Sequence, residues 1–264
     1  MSTPTSPAAG PGSPKQAIYA NLAAIAQAIG HPNRIELLEQ LAQGQRSVEA
    51  LAEACGLTFA NTSRHLQILR RARLVDTERQ GKRVLYRLAG AGDVVSLLKA
   101  LGAVGERNSA EIRQVMGDYF HARDALAPIS REDLLVRLQD GDVTLIDVRP
   151  EHEFSLGHLP GALNIPVQDL AQRLRRLPKN RDIVAYCRGP FCVMAFDAVA
   201  ALRAKGYRVR RLEDGFPEWM AAGLEVETGP AAGRSPRPTA KRKPPLRAST
   251  GRDQASARRQ GRSG

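Results

Sequence analysis

A cysteine followed by arginine, glycine and proline gives this 264-residue sequence its clearest chemical potential. Cys187 ends the apolar run DIVAYC, and Cys192 follows five residues later in the segment CRGPFCV. A thiolate is a strong nucleophile, and a helix N-terminus or a nearby cation lowers the pKa of a thiol. Because Arg188 is adjacent and a helical pattern follows, we expect Cys187 to be a reactive thiol. A buried structural cysteine that closes a strand is the alternative.

The segments around Cys187 predict a parallel α/β sheet. The strand-like runs DVTLIDVRP, DIVAYC and RVRRLE alternate with the helical segments REDLLVRLQ and VMAFDAVAALRAKG. This alternation is typical of sheets covered by helices, in which functional residues gather beyond the carboxyl ends of strands. Cys187 is at such an end, and we place this domain at residues 129–227.

Three segments of this domain resemble rhodaneses: LIDVRPEHEFSLGHLPGALNIP, YCRGPFCV and LEDGFPEW. The resemblance implies a sulfurtransferase in which Cys187 attacks a sulfane sulfur donor, holds a persulfide and passes the sulfur to a thiol acceptor. The loop backbone would surround the outer sulfur. The implied site comprises Cys187, Arg188 and Cys192 with the loop residues Gly189, Pro190, Phe191 and Val193. The residues that match the flanking motifs are expected to support the loop and the pocket mouth: Asp147, Arg149, His158, Gly161 and Trp219. Asp147 and Arg149 are equally readable as an ion pair at a strand end.

The stretch from Cys187 to Gly206 and Tyr207 is about two residues longer than in ordinary single rhodanese domains, and it contains a second cysteine, Cys192. Cys192 either resolves a Cys187 persulfide into a disulfide or a sulfur-bridged pair, or packs as a small hydrophobe at the start of a helix. Related phosphatases and arsenate reductases need an arginine five residues after the cysteine to bind an oxyanion. Cys192 occupies that position, which disfavours phosphoryl and arsenate chemistry.

The first half of the chain shows a helix, a glycine turn and a second helix. Ser47 is expected to cap VEALAEAC before Gly56, and Thr58 to cap FANTSRHLQILRRAR. The second helix directs Leu66 and Leu69 toward a core. Its polar side chains suit base edges and phosphates, and the predicted DNA contacts are Thr58, Asn61, Thr62, Arg64 and His65.

A basic hairpin is predicted after this helix. Strand patterns flank Gln80 and Gly81 and leave Arg79, Lys82 and Arg83 at the tip, where a wing contacts phosphates or the minor groove. In this order the segments GHPNRIELL, LAEACGLTFANTSRHLQILRRARLV and RQGKRVLYRL resemble the ArsR/SmtB family. The resemblance implies a winged helix-turn-helix homodimer that binds double-stranded operator DNA, and we place this domain at residues 15–126.

Metal sensing is a further property that the ArsR/SmtB resemblance raises. The cysteines of one known metal site are missing from the segment SVEAL, and the paired Asp, His and Glu ligands of the other are not evident in the last helix. We therefore expect no metal and no cofactor.

Composition bounds the class of protein. Three cysteines make a poor disulfide framework, and no apolar stretch approaches the length of a membrane span. We expect a cytoplasmic multidomain protein without membrane contact. Residues 1–14 and the tail at 228–264 are expected to be disordered, and most of the net charge of +12 lies in that tail. The tail is either a solvated appendage or a non-specific binder of phosphate backbones.

Three functional interpretations remain open. In the favoured one, the rhodanese domain detects or supplies reactive sulfur and the DNA-binding dimer adjusts transcription. In the second, a sulfurtransferase controls its own operon without signalling between domains. In the third, the rhodanese fold has lost catalysis and is a docking module.

Overall fold

The computed structural model describes residues 13–120, 128–174 and 177–230. Its first element, helix α1 (Pro14–Ile29), begins at Ser13, whose hydroxyl oxygen accepts a hydrogen bond from Gln16 N–H. The Gln16 side chain accepts one from Ser13 N–H in return, and proline holds the first helical position. Ser13 and Pro14 are therefore structured, which corrects the disordered segment expected at 1–14. Residues 1–12 and the basic tail from 231 onward lie outside the described residues.

A helix-turn-helix follows. Helix α2 (Pro32–Ala42) precedes α3 (Val48–Ala54) and α4 (Phe59–Arg71). Both predicted caps are confirmed, because Ser47 Oγ accepts from Ala50 N–H and Thr58 Oγ1 accepts from Asn61 N–H. Gly56 turns the chain between α3 and α4 with a φ of +63°, a conformation that favours glycine.

The wing is an antiparallel sheet of three strands in the order β1-β3-β2. The strands are β1 (Arg46–Ser47), β2 (Val75–Gln80) and β3 (Arg83–Leu88). Gln80 pairs with Arg83, so Gly81 and Lys82 form the turn of the predicted hairpin. The winged helix is thereby confirmed. Its core gathers side chains from the helices and the wing, among them Leu37, Leu51, Leu66, Leu69 and Tyr86.

Helix α5 (Ala91–Asn108) leads out of the winged helix. It buries Val94 and Val95 in the same core and exposes other apolar side chains. Helix α6 (Ala110–Val115) continues into a π-helical turn at Met116–Phe120. Across the described parts of the chain, no helix is both long enough and apolar enough to cross a membrane.

The second half is built on a parallel sheet with the strand order β5-β4-β6-β7, which confirms the predicted α/β class. The strands are β4 (Val143–Asp147), β5 (Leu163–Asn164), β6 (Asp182–Tyr186) and β7 (Val209–Arg211). Strand β5 was not predicted, because two residues are too few to show an alternation. The helices are α7 (Arg131–Asp140), α8 (Glu151–Leu156), α9 (Leu170–Arg173), α10 (Val193–Ala204) and α11 (Phe216–Ala221).

Alternate residues of β6 face two separate apolar layers. Ile183 and Ala185 pack with α10 on one face, and Cys187 continues this set. Val184 and Tyr186 pack on the other face, with residues of α7, α8 and α11. Cys187 therefore lies on the face of the sheet that is covered by α10.

The two halves of the chain are in contact. Helix α11 packs against α5, and Lys99 Nζ lies 2.7 Å from Asp214 Oδ1. The Phe191 ring rests on α5 at Gly102, where a Cβ would come within 3.0 Å of the ring. The loop that follows Cys187 thus touches the winged-helix half.

Candidate functional site

Cys187 lies directly after β6 and is 2% exposed. Its Sγ donates to the backbone oxygen of Cys192 at 3.5 Å. Residues 188–192 form a loop in which Cys192 N–H donates to the Gly189 carbonyl at 3.1 Å. Helix α10 begins only at Val193, so the loop separates Cys187 from the helix N-terminus that the sequence placed immediately behind it.

The charge state of the cysteine pair differs from expectation. Burial raises the pKa of Cys187 well above its ordinary value, and the neighbouring Cys192 raises it further. Backbone hydrogen bonds from Gly189 and Ala195 act in the opposite direction without offsetting burial. The expected low pKa of Cys187 is therefore wrong for this conformation, because the loop excludes water from the sulfur. The hydrogen bond from Cys187 lowers the pKa of Cys192.

The loop lies flush against the start of α11. A Cβ at Gly215 would sit 2.3 Å from the Gly189 nitrogen, so this position accepts only glycine. Phe216 N–H donates to the Cys187 carbonyl at 3.0 Å. Gly189, Pro190 and Val193 are half-buried, whereas Phe191 is 43% exposed at the tip. The loop is fixed on its α11 side, and the partly exposed Phe191 ring at its tip lies against α5.

Arg188 turns toward Glu153 of α8. Its Nε lies 3.2 and 3.1 Å from the two carboxylate oxygens, and its Nη2 lies 2.6 Å from Oε1. The same carboxylate accepts a hydrogen bond from Arg46 Nη2 at 2.7 Å. Burial raises the pKa of Glu153, but the hydrogen bonds and charges of Arg188 and Arg46 lower it overall. Because Arg46 belongs to β1, this ion-pair network crosses from the Cys187 loop to the winged helix.

Asp147 and Arg149 form a fully buried ion pair at the end of β4. Arg149 Nη2 lies 2.6 Å from Asp147 Oδ2, and Nε approaches both carboxylate oxygens. Arg149 also donates to the Gly157 carbonyl at 2.7 Å and to Gln43 Oε1 at 3.2 Å. Its guanidinium lies 4.3 Å from the centroid of the Phe216 ring. The pair therefore supports the segment that holds the loop.

His158 and Trp219 do not lie at an open pocket mouth, which corrects that part of the expectation. His158 stacks on Phe154 with ring centroids 3.6 Å apart, and Trp219 Nε1 donates to the Glu225 carbonyl at 2.8 Å. Phe154 and Trp219 pack in the layer on the opposite face of the sheet from Cys187, because their segments fold over that face. Gly161, which is exposed, donates its N–H to Glu227.

Four residues around the loop escaped prediction: Gln43, Arg46, Glu153 and Gly215. Glu153 and Gly215 lie inside the motif segments PEHEF and DGFPEW, so those motifs were the available signal. Gln43 and Arg46 lie in the turn QGQRS of the other half, where nothing local indicates a contact more than a hundred residues away.

The recognition helix α4 presents part of the predicted DNA surface. Thr58, Asn61 and Arg64 are exposed. Thr62 is fully buried, and its Oγ1 donates to the Thr58 carbonyl at 3.0 Å. The predicted DNA contact of Thr62 is therefore wrong, because Thr62 shares the inward face of the helix with Leu66.

His65 of α4 is half-buried beside His31, with ring centroids 4.6 Å apart. Burial and the neighbouring His31 lower the pKa of His65. A neutral ring at neutral pH would offer a hydrogen bond to DNA without a positive charge.

The wing presents its basic residues to solvent. Lys82 lies within the turn, Arg83 directly follows it, and Arg79 lies two residues before it, paired with Val84. All three are exposed, and Arg79 Nε donates to the Gly81 carbonyl at 3.4 Å. In the described ranges, no group of three or more His, Cys, Asp or Glu side chains is arranged to hold a metal ion.

Family models match both halves of the chain. The model of "Bacterial regulatory protein, arsR family" matches residues 31–77, and that of "Rhodanese-like domain" matches residues 130–222. Together with the fold, these matches define the class as a winged helix-turn-helix protein that carries a rhodanese domain.

One relative matches most of the chain. The HTH-type transcriptional regulator Rv0324 of Mycobacterium tuberculosis is 43% identical over 225 residues, which cover 85% of this chain and 98% of that protein. The chain belongs to the ArsR family of bacterial transcription regulators, with a rhodanese domain fused to its DNA-binding half.

Two further similarities each cover one half. A sulfurtransferase of Allochromatium vinosum is 38% identical over 100 residues, 37% of this chain and 92% of that protein. The solution structure of the homodimeric winged helix-turn-helix DNA-binding domain of Mb0332 from Mycobacterium bovis is 35% identical, covers 39% of this chain and 95% of that one, and has a TM-score of 0.35.

Proposed function

We propose that this regulator takes up sulfane sulfur as a persulfide on Cys187 and adjusts transcription in response. The observation that carries the proposal is the setting of the Cys187 sulfur. It lies at the carboxyl end of a parallel strand, within hydrogen-bonding reach of the Gly189 and Ala195 backbone and of Cys192. The Gly189 and Ala195 contacts lower the pKa of Cys187 and so favour a negatively charged sulfur, whereas the Cys192 carbonyl accepts a hydrogen bond from the protonated thiol.

Thiosulfate is a suitable sulfur donor for the proposed uptake. The Cys187 sulfur attacks the outer sulfur of thiosulfate, and its proton passes to the thiolate of the neighbouring Cys192, whose pKa is lowered. A sulfur–sulfur bond forms on Cys187, the bond to the sulfite group breaks, and sulfite leaves with the electron pair. An acceptor thiolate then attacks the outer sulfur, takes it as its own persulfide and regenerates the Cys187 thiolate.

Cys192 offers the persulfide a second fate. Attack of the Cys192 thiolate on the Cys187 sulfur of a protonated persulfide forms a Cys187–Cys192 disulfide and releases HS⁻. If Cys187 carries a longer polysulfide chain, attack on its first added sulfur gives a sulfur-bridged pair and expels the shorter polysulfide. In the competing interpretation Cys192, which is 8% exposed, is a packing residue beside α10.

The DNA-binding half is proposed to act as a homodimer on a palindromic operator, in the cytoplasm. Apolar side chains exposed on α1 and α5 favour association with a second copy, since their burial removes apolar surface from water. They are Ile18, Tyr19, Leu22, Leu97, Leu101 and Val104. The proposed DNA contacts are Thr58, Asn61, Arg64, His65, Arg79, Lys82 and Arg83.

Sequencing of genomic DNA fragments bound by the protein, with and without polysulfide, tests the proposal. We expect a palindromic motif from the untreated protein and its loss after polysulfide treatment. Cys187→Ser should retain the motif under both conditions. Release of DNA from Cys187→Ser by polysulfide would contradict the assignment of the sulfur site.

The two other interpretations predict different results. A sulfurtransferase that only controls its own operon turns over thiosulfate but keeps its DNA in the presence of polysulfide. A rhodanese fold without catalysis shows neither turnover nor sulfur-dependent release.

A further inference from the structure

We propose that Gln43 and Arg46, which belong to the DNA-binding half, are positioning residues of the Cys187 loop. The sulfur site is then complete only when the two halves are docked. The inference rests on the proposed role of Cys187, and it assigns to the winged helix a part in sulfur chemistry as well as in DNA binding.

Gln43 holds the loop backbone directly. It follows α2, is 1% exposed, and donates from Nε2 to the Arg188 carbonyl at 3.2 Å. Its Oε1 accepts from Arg149 Nη1 at 3.2 Å. The orientation of the amide is set by these partners, since a carbonyl only accepts and a guanidinium only donates. One side chain therefore links the residue after Cys187 to the buried ion pair of Arg149.

Arg46 holds the loop through Glu153. It is 9% exposed, and its Nη2 shares Glu153 Oε1 with Nη2 of Arg188. With Arg46 in place, the carboxylate is fixed between two guanidinium groups that approach from different halves. The side chain of Arg188 is consequently anchored to β1 as well as to α8.

Both residues are directly connected to elements that read DNA. Arg46 pairs with Tyr86 of the wing strand β3, and the next residue, Ser47, caps α3. Gln43 ends α2, which packs against the recognition helix α4. A loop displaced by sulfur loading would strain these bonds, and by linkage DNA occupancy would act back on the loop.

The test measures the reactivity of Cys187 in full-length variants. Gln43→Leu keeps the approximate volume but removes all three side-chain hydrogen bonds of Gln43, to the Arg188 carbonyl, to the Glu39 carbonyl and from Arg149 Nη1. Gln40→Leu is the matched control, because Gln40 is on the same helix, is 5% exposed, and has an Oε1 with no hydrogen-bond partner among the described residues. Iodoacetamide labelling of each cysteine is followed by peptide mass across a range of pH.

In Gln43→Leu we expect Cys187 labelling to rise about fivefold or more, in proportion to the opening of the loop. The pH of half-maximal labelling should fall, because water reaches the sulfur, and persulfide formation from thiosulfate should slow. Gln40→Leu should match wild type in all three measurements. Arg46→Gln should follow Gln43→Leu, and Arg46→Lys, which keeps a cation for Glu153, should return toward wild type.

The proposal is overturned if Gln43→Leu and Arg46→Gln both label like Gln40→Leu. Thermal unfolding identifies a variant that has lost its fold. If Gln43→Leu is such a variant, the comparison of Arg46→Gln with Arg46→Lys decides the proposal. Iodoacetamide labelling requires neither sulfur transfer nor DNA. The two proposals can therefore fail separately. If the variants differ in labelling as expected but polysulfide does not release DNA from the wild type, only the proposed sulfur response has failed.

Discussion

The guanidinium of Arg46 lies 2.7 Å from the carboxylate of Glu153 and joins strand β1 to helix α8 across the boundary between the two halves. Both side chains are buried, and Arg188 is the second partner of the carboxylate. The Glu153 carboxylate thus bridges two guanidinium groups and offsets their positive charges.

Glu153→Gln should lower the free energy of unfolding at neutral pH by about 3 kcal/mol or more, the cost of leaving a buried charge without its partner. The folded-state pKa of Glu153 is lowered, so its stabilising contribution is present above the ordinary value of 4.5 and is lost as the pH falls through the lower folded-state value. The difference from wild type should therefore shrink as the pH falls below the ordinary value of 4.5. Urea unfolding at neutral and acid pH measures it, with exposed Glu151→Gln as the control. A difference that stays constant with pH contradicts the prediction.

Arg64→Ala should weaken specific DNA binding by about 1 to 3 kcal/mol if Arg64 makes a bidentate contact with a base. Arg64 is exposed on α4, beside Asn61. Titration of labelled operator and random DNA measures both affinities, and Arg137→Ala in α7 is the matched arginine control. Equal losses on the two DNAs would make Arg64 a phosphate contact.

Cys192→Ser should trap a persulfide on Cys187 after polysulfide treatment. Wild type should gain sulfur or lose two hydrogens at the Cys187 and Cys192 pair, and Cys187→Ser should do neither, because the first sulfur has no acceptor. Intact-mass measurement reads these changes. If Cys192→Ser equals wild type in mass, sulfur transfer and DNA release, Cys192 is a packing residue.

The same variant should move the pH dependence of Cys187. Burial is the main cause of the raised pKa of Cys187, and Cys192 adds to it, so Cys192→Ser should lower the pH of half-maximal Cys187 labelling without removing the whole shift. Cys55→Ser is the control, since burial raises the pKa of Cys55 to about 11 at a separate place in the winged-helix core. An upward shift in Cys192→Ser would show that the two thiols do not interact as described.

Deletion of residues 231–264 should reduce the salt dependence of DNA binding and leave the preferred site unchanged. The tail carries ten basic residues against one acidic residue, and contacts of such chains with phosphates release counterions. Affinity measured at several salt concentrations gives the slope for both proteins. An unaltered slope would reduce the tail to a solvated appendage.

Short sequence patterns, such as helix caps and apolar runs, predicted most of the fold. Ser47 and Thr58 have short hydroxyl side chains directly before helical patterns, and both cap helices as expected. The apolar runs around Ile146 and Val184 form the two central strands, because a continuous apolar run suits a strand that is covered by helices on both faces of the sheet. These features depend on residues that are close together in sequence, so they can be predicted from one sequence alone.

Thr62 shows an available signal that was missed. It stands four residues before Leu66 and seven before Leu69, which is the spacing of one helix face, so its hydroxyl faces inward. Cys187 shows a different limit. Its raised pKa depends on how tightly residues 188–192 close over the sulfur, and this depends on Gly215 and Gln43, which are distant in sequence.

The hydrogen bonds of Gln43 and Arg46 with the rhodanese domain limit how either half can be replaced by a homologous domain. A rhodanese domain grafted onto another winged helix would leave Glu153 with one guanidinium partner and the Arg188 carbonyl without its amide donor. The winged helix expressed alone would present Gln43 and Arg46 to water. A transplantable unit that keeps the contacts of the Cys187 loop therefore includes the turn at 43–46 along with the rhodanese domain, although the chain places that turn in the other half.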